Sequence, residues 1–172
     1  MNRFTPTLAV AAVLASSQLL AAPELAPDMN PPEGERLAFA LQAQGVQIYA
    51  CRQDPRDAYA YQWTFVAPEA TLSEAGKAVA RHGAGPSWTS TTDGSTVKGV
   101  VRAKQDGGAG NIPWLLLAGE AGGQEGRFAG ITSVQRVATR GGVEPTEICD
   151  SARAGQESRV PYTAEYRFFK RG

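Results

Sequence analysis

The run Tyr162-Thr163-Ala164-Glu165-Tyr166-Arg167-Phe168-Phe169 places Tyr162, Ala164, Tyr166 and Phe168 on one side of an extended chain, with Thr163, Glu165, Arg167 and Phe169 on the other. A strand with one wet face keeps its apolar residues on the other face. Aromatics on both sides predict a strand in a closed or covered sheet. Tyr61, Trp63 and Phe65 repeat the alternation over residues 61–66, and Pro68 marks the expected end of that strand. Leu37, Phe39 and Leu41 alternate as well, and Gly45 precedes Val46 to Cys51, which predicts two strands joined near Gln44-Gly45.

Thr92-Asp93-Gly94-Ser95 is a hairpin signal, because Asp-Gly supplies the backbone angles of a tight two-residue turn; it joins Ser87–Thr91 to Thr96–Ala103. After Pro113, Trp114 to Ala118 is apolar without alternation and predicts a strand buried on both faces. Residues 127–137 are β-rich, and residues 140–158 read as a long loop holding Cys149. Only residues 69–81 carry roughly helical spacing, at Leu72, Ala75, Val79 and Ala80, and Gly76 weakens it to a turn or one short helix. The expectation is an all-β, single-domain barrel or sandwich of about seven or eight antiparallel strands with little helix.

Met1-Asn2-Arg3, the apolar run from Leu8 to Leu20 and the small pair Ala21-Ala22 form a secretory signal peptide over residues 1–22, too short to span a bilayer. Pro23, Pro27, Pro31 and Pro32 make residues 23–35 a flexible, extended leader, which leaves 36–172 as the folded domain. Beyond the signal no apolar run is long enough to span a membrane. The first cysteine, Cys51, lies too far on to carry a lipid anchor. Removing the signal deletes only Arg3 from the charges, leaving 16 basic residues against 17 acidic ones. That balance offers no basic field for nucleic acid. The protein is expected to be secreted or periplasmic.

Cys51 and Cys149 are the only cysteines. In an oxidising compartment an isolated pair bonds, closing a long loop; the rival is a pair of buried free thiols. Redox chemistry is disfavoured by the absence of a Cys-x-x-Cys spacing.

Gly45-Val46-Gln47-Ile48-Tyr49 with Cys51, Trp63 with Pro68-Glu69-Ala70, and His82 to Trp88 leading into Asp93-Gly94-Ser95 form an ordered set of motifs. The set continues through Ile112-Pro113-Trp114, Gln135-Arg136, Cys149 and Pro161-Tyr162-Thr163-Ala164. The chain thereby resembles an uncharacterised family of exported bacterial and fungal proteins, catalogued as a domain of unknown function. The resemblance implies secretion and one compact domain, and brings no catalysis or ligand with it. Gly83 stands where the pattern has an aromatic beside the histidine.

His82 is the only histidine, poised before the turn-rich Gly83–Pro86. It reads as a loop anchor that positions Trp88, as a ligand contact, or as an acid–base group with Ser87, Ser95 or Asp93 in reach. Trp88 adjoins it and precedes Thr89-Ser90-Thr91-Thr92, a setting for a half-exposed site, whereas Trp63 and Trp114 read as core. Asp93 reads first as a turn residue and second as a ligand contact. Arg136 is either an ion-pair partner of Glu69 or Glu165 or an anchor for an anionic ligand.

One histidine and two bridged cysteines make no transition-metal site, and Asp93, Asp106 and Asp150 follow no calcium-loop pattern. No cofactor is implied. The leading expectation is an exported, disulfide-linked domain that binds a small or extended ligand, a glycan among the candidates, at His82, Trp88, Asp93 and Arg136, without chemistry. The alternatives are a hydrolase or isomerase using His82 with Ser87, Ser95 or Asp93, and a structural or interaction protein of the envelope or extracellular matrix.

Overall fold

The computed structural model describes residues 24–172; the expected signal peptide lies outside the described residues. Eight strands follow in chain order: β1 (Glu35–Asp54), β2 (Asp57–Glu74), β3 (Lys77–Gly83), β4 (Ser87–Ser90), β5 (Thr96–Gln105), β6 (Trp114–Ala121), β7 (Ile131–Gly141) and β8 (Glu157–Arg171). Each pairs antiparallel with its neighbour in sequence, and β8 returns to β1 to close a barrel. Closure removes the sheet edges that an open sandwich would leave. The β1–β2, β3–β4, β5–β6 and β7–β8 connections lie at one end, called the upper end below. Both chain ends of the barrel lie at the other.

The alternation in β8 lands as read: Tyr162, Ala164, Tyr166 and Phe168 line the lumen with Leu41, Leu72, Trp88, Val97, Leu117 and Val134. Phe128, carried on the β6–β7 connection, plugs the lower end against Phe39 and Phe168, with ring centroids 5.9 and 5.1 Å away. Leu117 faces this core while Trp114 and Leu116 are buried on the outer face, so β6 is covered on both sides.

The cover comes from the leader. Met29, in a short 3-10 turn over Pro27–Met29, is fully buried against Trp114, Leu116 and Val137. Its carbonyl accepts from Gln135 Nε2, and the Ala26 N–H donates to Gln105 Oε1 at 2.9 Å. Residues 24–30 are thus docked rather than extended and free: prolines fix the backbone, and one apolar side chain finds a hydrophobic seat.

Other local readings are corrected or narrowed. Residues 37–51 form one strand, not two, with Gly45 in its middle. A Cβ at Gly45 would stand 2.1 Å from the Glu69 carbonyl oxygen and 2.5 Å from Ala70 Cα, so the glycine serves a close backbone approach, not a turn. Pro68 does not end its strand: it sits inside β2 opposite Gln47, and β2 meets β3 only from Ala70 onward, so no strand flanks Pro68 on its other side. Of the two readings for residues 69–81 the turn holds and the helix does not: they form a hairpin, with Ala75 and Gly76 both at positive φ (47° and 78°), the pairing of a type I′ turn. The Asp93 turn is also longer than two residues: Ser90 N–H bonds Ser95 O at 2.9 Å across Thr91 to Gly94.

Beyond the barrel rim β1 and β2 continue as a two-stranded ribbon to Asp54 and Asp57. The β7–β8 connection folds against it. Cys51 and Cys149 are bonded, Trp63 Nε1 donates to Glu147 O at 2.8 Å, and Tyr49 Oη donates to Gly142 O at 2.7 Å.

Candidate functional site

Tyr162, Gly45, Ala70, His82, Trp88 and Val97 lie in register from β8 round to β5 and share the lumen face. His82 is thereby held one strand from Trp88, and their rings stack 4.6 Å apart at an interplanar angle of 4°. Trp88 has no solvent exposure, which corrects the half-exposed setting read from its polar neighbours: β4 turns Thr89 outward and the indole inward, and Thr91 and Thr92 lie exposed in the turn beyond it. Gly99 makes the room, since a Cβ there would stand 3.0 Å from the indole ring.

His82 Nδ1 lies 2.9 Å from the Ser87 carbonyl oxygen. A carbonyl only accepts, so Nδ1 carries the hydrogen and Nε2 is left as an acceptor. Burial, opposed by that hydrogen bond and assisted by the positive charge of Arg136, lowers the imidazole pKa to about 4. His82 is neutral at pH 7.

This depression makes stability depend on acid. The unfolded chain takes up the proton near 6.5 and the folded chain only near 4, so the full contribution is present above pH 6.5 and is lost as the pH falls through 4. The expected loss is about 3 kcal/mol. Urea unfolding of the wild type and of His82→Gln at pH 7 and pH 4 measures it: the variant should lose less stability on acidification by about that amount, and equal losses would refute the assignment.

Above His82, where β2 parts from the β3–β4 turn, the outer surface sinks into a half-open groove of about 720 Å³. Gly45, Ala70 and His82 form its floor; Gln44, Thr71, Arg81 and Thr89 stand along one side, and Glu69, Ser87 and Arg159 along the other. Ser87 Oγ donates to Ala84 O at 3.0 Å, so the residue meets His82 through its backbone and not its hydroxyl.

Arg136 pairs in register with Leu115 and Tyr166 and shares their lumen face. Its Nε and Nη2 donate to the Pro113 carbonyl oxygen at 3.1 and 2.9 Å. The expected ion pair is not formed: Glu69 is bound to Arg159 and Glu165 to Arg167. Among the described residues no carboxylate lies within ion-pair distance of Arg136. Around it stand the hydroxyls of Tyr162 and Tyr166, 3.3 Å apart, whose pKa values burial raises.

Asp93 and Ser95 belong to the lower end. Asp93 accepts from Ser95 N–H at 2.9 Å, from Ser95 Oγ and from Arg127 N–H at 3.0 Å, and Ser95 Oγ accepts from Phe128 N–H at 3.1 Å. The Ser95 hydroxyl, with those N–H donors behind it, holds the carboxyl far below its ordinary range. Asp93 thus pins the connection that carries the Phe128 plug. The barrel brings His82, Trp88 and Arg136 to its upper half and keeps Asp93 and Ser95 away from them.

Sequence reasoning missed Tyr162 and Tyr166 as neighbours of Arg136, and Gln47 as a neighbour of Tyr162. Gln47 is 3% exposed, and its Nε2 has no hydrogen-bond partner. The odd positions from Leu41 through Gln47 to Tyr49 share one face, a signal hidden by reading Gly45 as a turn.

The family described as "Protein of unknown function (DUF3455)" matches residues 31–170, and the chain belongs to it. No curated protein and no solved structure matches the chain. Among the described residues no helix is long and apolar enough to cross a membrane.

Proposed function

We propose that this protein is an exported, disulfide-linked binding barrel that holds a small ligand at its upper end beside His82 and Trp88 and performs no chemistry on it. One observation carries the reading: a neutral imidazole, fixed through Nδ1, forms the floor of a half-open groove and leaves Nε2 as an acceptor for a ligand donor. The same fixed geometry lacks the partners of catalysis, because Ser87 turns its hydroxyl to Ala84 and Ser95 and Asp93 serve the opposite end. Export is supported by the disulfide, which persists in oxidising compartments.

Native mass spectrometry of unwashed protein from its own host tests the reading. The expected result is a bound small molecule, and adding it back to stripped protein should shift the imidazole NMR signals, which are unique because His82 is the only histidine. No adduct, together with no change in melting temperature or in the His82 signals across glycan and lipid panels, would overturn the reading.

A further inference from the structure

The upper lumen holds more hydrogen-bond donors than the acceptors beside them can take. Arg136 carries five N–H groups; two bonds go to Pro113 and a further contact goes to the Tyr166 hydroxyl, which leaves other N–H groups without an acceptor. Gln47 Nε2 is buried without a partner, and so is Trp88 Nε1. Buried donors in native proteins are satisfied as a rule, so the surplus around Arg136 and Gln47 calls for an acceptor from outside. The amide of Gln47 and the guanidinium of Arg136 both stand beside the Tyr162–Tyr166 hydroxyl pair.

The missing acceptor also has a charge. Arg136 brings one positive charge with no ion-pair partner, and neutral His82 adds none. One guanidinium balances one negative charge, and its planar fork matches a group with two coplanar oxygens. A phosphate dianion would stay half uncompensated. We propose that the upper lumen binds a small molecule through a carboxylate group, received by Arg136 and by the side-chain amide of Gln47 beside the tyrosine hydroxyls. His82 meets the remainder of the ligand as an acceptor and takes no part in holding the anion.

The inference rests on the upper end being a ligand site, and its test separates the two. Acetate, benzoate and octanoate are titrated against acetamide, benzamide and octanamide, following the His82 imidazole signals and the melting temperature. Carboxylates should bind and raise the melting temperature while their amides do not. Arg136→Gln should weaken binding roughly 10- to 100-fold, the range for losing hydrogen bonds to a charged group. Gln47→Leu removes an Nε2 donor that has no partner at hydrogen-bond distance and is expected to keep the fold, so it decides the matter should Arg136→Gln fail to fold; it should weaken carboxylate binding several-fold. Amides binding as well as carboxylates, or unchanged affinity in Gln47→Leu, would overturn the carboxylate while leaving the ligand site standing. Silence from both series would also overturn it, and the ligand-site reading is then judged separately by the co-purification measurement.

Discussion

Replacing Cys51 and Cys149 together by alanine is expected to lower the unfolding free energy by about 4 to 5 kcal/mol, or roughly 10 to 20 °C in melting temperature for a domain of this size. The bond joins residues 98 apart in sequence, and in the chain-entropy account the cross-link acts by limiting the unfolded chain, the more so for a longer loop. A local effect adds to it. The β7–β8 connection is held on the ribbon by the disulfide, by Trp63 on Glu147, and by backbone bonds from Cys51 N–H to Gln156 O and from Gly155 N–H to Cys51 O, both 2.9 Å. Without the bond these few contacts must hold the connection alone. Denaturant unfolding of the double variant, beside the wild type with and without reductant, measures the change. A loss below about 1 kcal/mol would show that β1–β8 pairing already restrains the open chain.

The second large effect is expected from Trp88→Ala, at about 3 to 5 kcal/mol. The indole stacks on His82 and meets Tyr166 and Phe168 edge-on at 5.4 and 5.9 Å, so its loss opens a hole bordered by three rings. Gly99 stands against the opposite side of the ring and has no side chain to collapse inward. Trp88→Phe should cost less than half as much, because the indole N–H has no partner to lose. A readout beyond stability comes from His82. Its depressed pKa is chiefly a burial effect, so water admitted by Trp88→Ala should raise the imidazole pKa from about 4 toward 6.5, measurable by NMR titration. A fully cooperative variant with an unmoved imidazole would show that the pocket closes over the missing ring.

The barrel was legible wherever side chains alternate against a dry lumen. β8 shows it plainly, since its two faces differ in size and polarity at every step. Trp114 to Ala118 was legible as doubly buried, although its cover was not: nothing local in a proline-rich segment reports that Met29 has a distant seat. Gly45 and Pro68 misled for a related reason. Each breaks a strand in an open chain, and each is tolerated here only because of its neighbour across the sheet, a backbone at van der Waals limit in one case and an unflanked stretch of β2 in the other. The site was legible in its residue types and not in its assembly. His82 and Arg136 stand on strands four apart round the ring, and Trp88 looked polar because its sequence neighbours point the other way. Asp93 and Ser95, close to His82 along the chain, are carried to the far end by β4.

The pairing of β1 with β8 sets an order of events in synthesis. Every other strand pair joins segments adjacent in the chain, while this one joins Glu35 to Arg171 and Ala50 to Glu157. A polypeptide emerging from its N-terminus can zip seven strands in succession as local hairpins, each a low-entropy step. Until β8 is free the growing sheet has two raw edges, β1 and β7, and its lumen aromatics face water. Completion therefore waits for β8, the last strand to emerge. A nascent chain stalled anywhere before Glu157 is a sticky, open-edged sheet.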